Sequence, residues 1–139
     1  MAALLLAVTA APASALSGSA PRVGSPYVDQ RDHSCVPKRG GGCLIGAVVK
    51  YWHKKGAVQR SVGWVYASRA ATAGAARWLY KAPGRGWKVG GGWKEAANRG
   101  SFVEAHWGRG GHTGRKVPRG TQVCVEFKGL TKKACIKMK

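Results

Sequence analysis

The sequence predicts an all-β protein, mainly antiparallel. It is expected to be a small disulfide-stapled β-sandwich or barrel with glycine-rich loops between short strands. Three observations carry this. Short segments rich in aromatic and β-branched residues recur between glycine and proline clusters. The cysteines form an even set of four. The C-terminal segment reads as a hairpin in which turn, alternation and cysteine spacing agree.

Taken in chain order, Ala2 to Ala11 form an apolar run of signal-peptide length, too short to span a membrane. Ala13, Ser14 and Ala15 then supply the small residues a signal peptidase needs, so residues 1–15 read as a signal peptide cleaved after Ala15. The run lacks the usual preceding Lys or Arg. Residues 16–34 are small, polar and proline-bearing and read as a flexible lead-in. Residues 35–139 are expected to form a single secreted β domain. In an oxidising compartment the four cysteines read as two disulfides; gaps of seven and ten residues do not suit a zinc site.

LIGAVVKYWHKK, from Leu44, has helical and strand character; its β-branched and aromatic content favours a strand. SVGWVYAS and ARWLYKA read as neighbouring strands. In APGRGWKVGGGWKEA the glycines imply turns and a mobile loop. SFVEAHW alternates, with Val103, Ala105 and Trp107 on one face and Phe102, Glu104 and His106 on the other. GRGGHTGRKVPRG reads as a second basic, glycine-rich loop.

The last two strands, TQVCVEFK and TKKACIKM, flank Gly129-Leu130, a two-residue loop suited to a type II′ turn. That register sets Lys128 opposite Thr131, Glu126 opposite Lys133 and Cys124 opposite Cys135. It also lines up Val123, Val125, Phe127, Ala134 and Ile136 on one apolar face. Cys35 is then left to pair with Cys43. Each small ring removes roughly 2.5–3 kcal/mol of unfolded-chain freedom in the loop-entropy picture.

Charge is the strongest functional signal. Lys and Arg total 24 against five acids, a net +19. Such an excess repels itself in the compact state and attracts polyanions. The partners it implies outside a cell are an anionic envelope polymer, an anionic membrane surface or extracellular nucleic acid. Aromatic residues stand among the cations: Trp87 and Trp93 beside Arg85, Lys88 and Lys94, and Trp107 before Arg109. Aromatic faces beside cations suit nucleic-acid strands, sugar rings and membrane interfaces. The contact residues expected are Lys38, Arg39, Arg85, Trp87, Lys88, Trp93, Lys94, Arg109, Arg115 and Lys116. Trp64 and Trp78, in alternating strands, are expected to fill the core.

Catalysis is not supported. No serine-nucleophile elbow, HExxH or Walker loop is present, no cofactor motif stands out, and the four histidines are scattered. Glu104 and His106 share a strand face, the base–acid pairing that small secreted ribonucleases use, so a secreted ribonuclease is a third reading. The second concerns the ring Cys35–Cys43. In size, and in the basic residues Lys38 and Arg39, it resembles the disulfide-closed loops of Bowman–Birk serine-protease inhibitors, which implies presentation of a basic side chain to a trypsin-like pocket. The Thr-Lys/Arg-Ser-x-Pro-Pro pattern is absent. The leading expectation is a secreted cationic, non-enzymatic protein that binds a polyanion, with an antimicrobial, bacteriocin-like role downstream.

Overall fold

A computed structural model describes residues 24–139; the expected signal peptide and residues 16–23 lie outside the described part. The described chain is built from ten strands: β1 (Tyr27–Pro37), β2 (Cys43–Lys54), β3 (Gln59–Arg69), β4 (Ala75–Lys81), β5 (Lys88–Glu95), β6 (Ala97–Asn98), β7 (Val103–Gly108), β8 (Arg115–Pro118), β9 (Gln122–Phe127) and β10 (Lys133–Lys137). Every pairing is antiparallel. One sheet runs β1-β2-β3-β7-β6, with β8 also on β3; the other runs β10-β9-β4-β5. The two sheets share one apolar core, to which Ile45, Val49, Val65 and Val103 contribute from the first and Trp78, Val125, Phe127 and Ile136 from the second. This is the expected fold class in its sandwich form; no closed barrel is found among the described residues.

The C-terminal hairpin has the expected register, with Glu126 opposite Lys133 and Cys124 opposite Cys135. Both disulfides form as expected, with Cα–Cα separations of 5.3 Å for Cys35–Cys43 and 4.1 Å for Cys124–Cys135. The turn itself differs. Leu130 N–H donates to the Phe127 carbonyl at 3.0 Å, so Gly129, at φ 87°, is the third residue of a turn spanning 127–130 and not the first residue of a two-residue loop. Pairing with β4 and the disulfide hold the register independently of that turn.

Four further expectations are corrected. First, the lead-in does not extend to Ser34, because β1 begins at Tyr27 and pairs along β2 from Tyr27↔Lys54. Its segment DQRDHS is polar because the inward side of this edge strand serves a buried hydroxyl. Tyr51 has both Gln30 Oε1 and Asp32 Oδ2 within 2.7 Å for its one proton, and accepts the Lys139 amide at 3.2 Å.

Second, SVGWVYAS and ARWLYKA are not neighbours: β3 and β4 lie in different sheets. Third, the glycine-rich run after β4 is not a mobile loop, since its second half forms β5 along the edge of β4. A Cβ at Gly90 would collide with the Trp78 ring, and one at Gly91 would lie 2.6 Å from both Trp107 Cδ1 and Trp78 Nε1. These glycines give room to two tryptophans. Fourth, Trp64 is not a core residue. Between Lys50 and Tyr51 the β2–β3 register shifts by one residue, and Gly63 is the extra residue on β3. Such a bulge inverts the in–out alternation. Val62, Val65 and Ala67 therefore face the core, while Trp64 and Tyr66 stand on the outer face.

Candidate functional site

β4 alternates in ARWLYK. Trp78 and Tyr80 enter the core, which turns Arg77, Leu79 and Lys81 to the outer face of the β10-β9-β4-β5 sheet. Beside them, across β9 and β10, stand Glu126, Lys133 and the Cys124–Cys135 disulfide. Trp87, just before β5, and Val89 and Trp93 on β5 are the large apolar side chains of this face, exposed to 46%, 50% and 43%. Each tryptophan lies beside two cations. The Arg77 guanidinium sits 4.5 Å and Lys128 Nζ 5.9 Å from the Trp93 ring; Lys81 and Lys133 approach the Trp87 ring at 5.9 and 6.0 Å.

Arg77, Leu79, Trp87, Lys88, Val89, Glu126 and Lys133 line a shallow cavity of about 350 Å³ on this face. Its carboxylate, Glu126, is nearly buried and already engaged: Arg77 Nε lies at 2.5 Å and Lys133 Nζ at 3.5 Å. Those contacts hold the Arg77 guanidinium beside Trp93 and neutralise the acid that lines the cavity. The surface that results is aromatic and cationic, and most of its residues are carried by strands.

The predicted contact residues divide among several places. Trp87, Lys88 and Trp93 converge on this face, Trp87 and Lys88 lining the cavity and Trp93 stacking beside it. Arg85 lies exposed in the preceding turn, with its amide bonded to the Ala82 carbonyl at 3.0 Å. Lys94 does not join them: its ammonium donates to the His106 carbonyl at 2.7 Å and lies 5.8 Å from the Trp107 ring. Arg109 and Arg115 line another cavity, with Trp78 and Trp107. Arg115 and Lys116 belong to strand β8, not to the loop expected there. Lys38 and Arg39 are exposed on the ring between β1 and β2. Arg77, Lys81, Lys128 and Lys133 were not among the expected contacts. The alternation of ARWLYK, with its tryptophan and tyrosine in register, is the signal that could have found the first two.

The ring is turned inward on itself. Lys38 N–H donates to the Gly42 carbonyl at 3.0 Å, and Gly41 N–H donates to the Lys38 carbonyl at 3.2 Å. A protease-inhibiting loop works by presenting a rigid, preorganised segment whose backbone is free to engage the protease; here the Lys38 carbonyl is engaged internally. The Glu104–His106 face is likewise committed. Tyr66 donates its hydroxyl to Glu104 Oε2 and Arg99 Nε donates to Oε1, both at 2.7 Å. These bonds hold the Glu104 carboxyl below its ordinary range, while burial, reinforced by the bond to Glu104, pushes Tyr66 up to about 12. A general base is most effective when poised near neutrality; the arrangement moves Glu104 the other way.

Among the described residues no three His, Cys, Asp or Glu side chains converge on a point that could hold a metal ion. Among those residues, too, no helix is long and apolar enough to cross a membrane. Comparison with known protein families, with curated proteins and with solved structures returned no match for this chain.

Proposed function

We propose that the protein is a secreted polyanion-binding module whose contact surface is the outer face of the β10-β9-β4-β5 sheet. One observation carries this: the two most exposed tryptophans share that face, and each has two cations within 6.0 Å of its ring. Exposed indoles stack on sugar rings or bases, and the flanking ammonium and guanidinium groups meet the phosphates or carboxylates between them. The net charge of +19 supplies long-range attraction. The two disulfides fit an oxidising compartment and thus export. Binding and not turnover is the activity that this arrangement supports, with a growth-inhibiting effect on bacteria as its consequence at the envelope.

The test is binding of the protein from residue 16 onwards to isolated Gram-positive cell walls over a salt series, with double-stranded DNA in parallel. On DNA, affinity falls with a log–log slope of about 0.9 per phosphate neutralised. Wall binding that persists at physiological salt, where DNA binding has collapsed, is the expected result. Equal and equally steep loss on both ligands would reduce the protein to a non-selective polycation.

A further inference from the structure

The opposite face of the molecule holds a second, differently built site. β7 and β8 both pair with β3, end to end along the same edge: Gly108 stands opposite Trp64 and Arg115 opposite Val62. The loop joining them, residues 109–114, leaves that edge at the Gly63 bulge. Gly108 and Gly114 make the exit and return, at φ 93° and 112°, with β3 backbone so close that neither could carry a Cβ. The loop then crosses to β1 and β2. Trp52 Nε1 donates to the Thr113 carbonyl at 2.8 Å, His112 Nε2 lies 2.8 Å from Asp29 Oδ1, and the His112 ring stacks on Tyr27 at 3.8 Å. The loop is pinned to both strands.

Beneath it is a cavity of about 310 Å³, bordered by Asp29, Arg31, Lys50, Trp52, Gly63 and Gly110, among others. Arg31 and Lys50 are direct cross-strand partners. Like charges placed so are destabilising, and among the described residues neither has an ion-pair partner. An anion between them would remove that repulsion. Asp29, 68% exposed, engages His112 through Oδ1, which leaves Oδ2 able to accept from a hydroxyl. Trp52 supplies an apolar wall.

We infer that this cavity binds one polyol- or sugar-phosphate unit, its phosphate between Arg31 and Lys50, a hydroxyl on Asp29 and its carbon skeleton against Trp52. A volume of about 310 Å³ is ample for one such unit. This site shares no residue with the opposite sheet face and stands whether or not that face binds polymer.

The test is a two-dimensional NMR titration at 0.15 M salt with glycerol 3-phosphate, and separately with a short poly(glycerol phosphate) fragment, glycerol and inorganic phosphate. Saturable shifts of the Trp52 indole N–H and of the Gly110 and Gly111 amides are expected with at least one of the first two. A response to the monomer identifies a free unit as ligand; a response to the fragment alone identifies a unit within a chain. Glycerol should give none, and inorganic phosphate a weaker response. Arg31→Ala and Lys50→Ala should each weaken binding about tenfold, whereas Lys132→Ala, an exposed charge elsewhere, should leave it unchanged. Arg31→Ala relieves like-charge repulsion and should not lower the thermal midpoint, so its lost binding cannot be blamed on unfolding. Lys50→Ala also removes an ammonium 4.9 Å from the Trp64 ring and is the second variant. The Trp87→Ala/Trp93→Ala variant should bind glycerol 3-phosphate or the fragment at this site as the parent does. Shifts that spread over surface lysines without saturating, or an affinity indifferent to both Arg31→Ala and Lys50→Ala, would overturn the assignment.

Discussion

On the outer face of the β10-β9-β4-β5 sheet, the rings of Trp87 and Trp93 stand open between Arg77, Lys81, Lys128 and Lys133. On the outer face of the other sheet the aromatics are occupied. Trp64 stacks on Tyr66 at 5.6 Å beneath Lys50, and Trp52 is hydrogen-bonded to a loop that crosses above it. The residue types are the same and the consequences differ. The first face is a broad platform along which a polymer could lie; the second is a covered recess with room for one unit. What separates them is a pair of glycine sites. At Gly90 and Gly91 missing side chains let Trp78 and Trp107 pack against an edge strand, which fixes β5 and leaves Trp87, just before it, and Trp93 outside. At Gly63 a bulge turns Trp64 outward and lets a loop pass over β3.

The largest effect should follow from filling the first of these sites. Gly90→Val drives a side chain into the Trp78 ring, and overpacking of this kind costs about 1–3 kcal/mol or more. The thermal midpoint should fall by roughly 4 °C per kcal/mol, and polymer binding should fall with it as β5 detaches. Next comes removal of the platform itself. Trp87→Ala with Trp93→Ala should weaken polyanion binding by at least tenfold at fixed salt, each stacked ring being worth about 1–3 kcal/mol. Both rings are exposed, so the midpoint should stay close to the parent's.

The sheet that bears the closed face can be probed by pH. Burial, first of all, pushes the Tyr51 hydroxyl up to about 12, and Tyr66 likewise to about 12. A group whose folded pKa is raised contributes stability that is present below its ordinary value of 10 and lost as pH rises through 12. Absorbance titration at 295 nm should show two tyrosines ionising in a late step, and stability should decline between pH 10 and 12. Tyr66→Phe should leave one late tyrosine; two remaining would show that Tyr66 is not held by Glu104. Glu104 has the opposite sign. Its depressed pKa adds stability above the ordinary 4.5 that is lost as pH falls through the folded value, so Glu104→Gln should destabilise at neutral pH and converge with the parent in acid. The smallest effect belongs to the ring, which lies off that face: Lys38→Ala with Arg39→Ala should alter polymer affinity only by two charges' share of the long-range attraction and flatten the salt dependence by at most about two contacts.

Local chemistry was legible in the sequence and long-range chemistry was not. The hairpin could be read because alternation and cysteine spacing sit within one stretch, and its register survives although the turn is another one. The ring likewise follows from its two cysteines. By contrast, SVGWVYAS gives no sign that Gly63 is a bulge, because that depends on how β2 pairs with it. GWKVGGGW reads as a loop until Trp78 and Trp107 are placed against its glycines. The polar segment DQRDHS hides an edge strand, since the hydroxyl it serves belongs to Tyr51 on the next strand. Of the proposed binding face, Trp87, Lys88 and Trp93 were found as local mixtures of aromatic and cation. Lys128, in the turn after β9, and Lys133, on β10, are far away in sequence, and only the sheet order brings them to the Trp93 and Trp87 rings.

The most direct measurement compares the parent and the Trp87→Ala/Trp93→Ala variant for affinity to poly(glycerol phosphate) wall polymer across a salt series. The substitutions remove no charge, so the two log–log plots should be parallel, with the variant displaced downward by at least tenfold at every salt concentration. Superimposed plots would mean that charge alone holds the polymer and that the open tryptophans are not its platform.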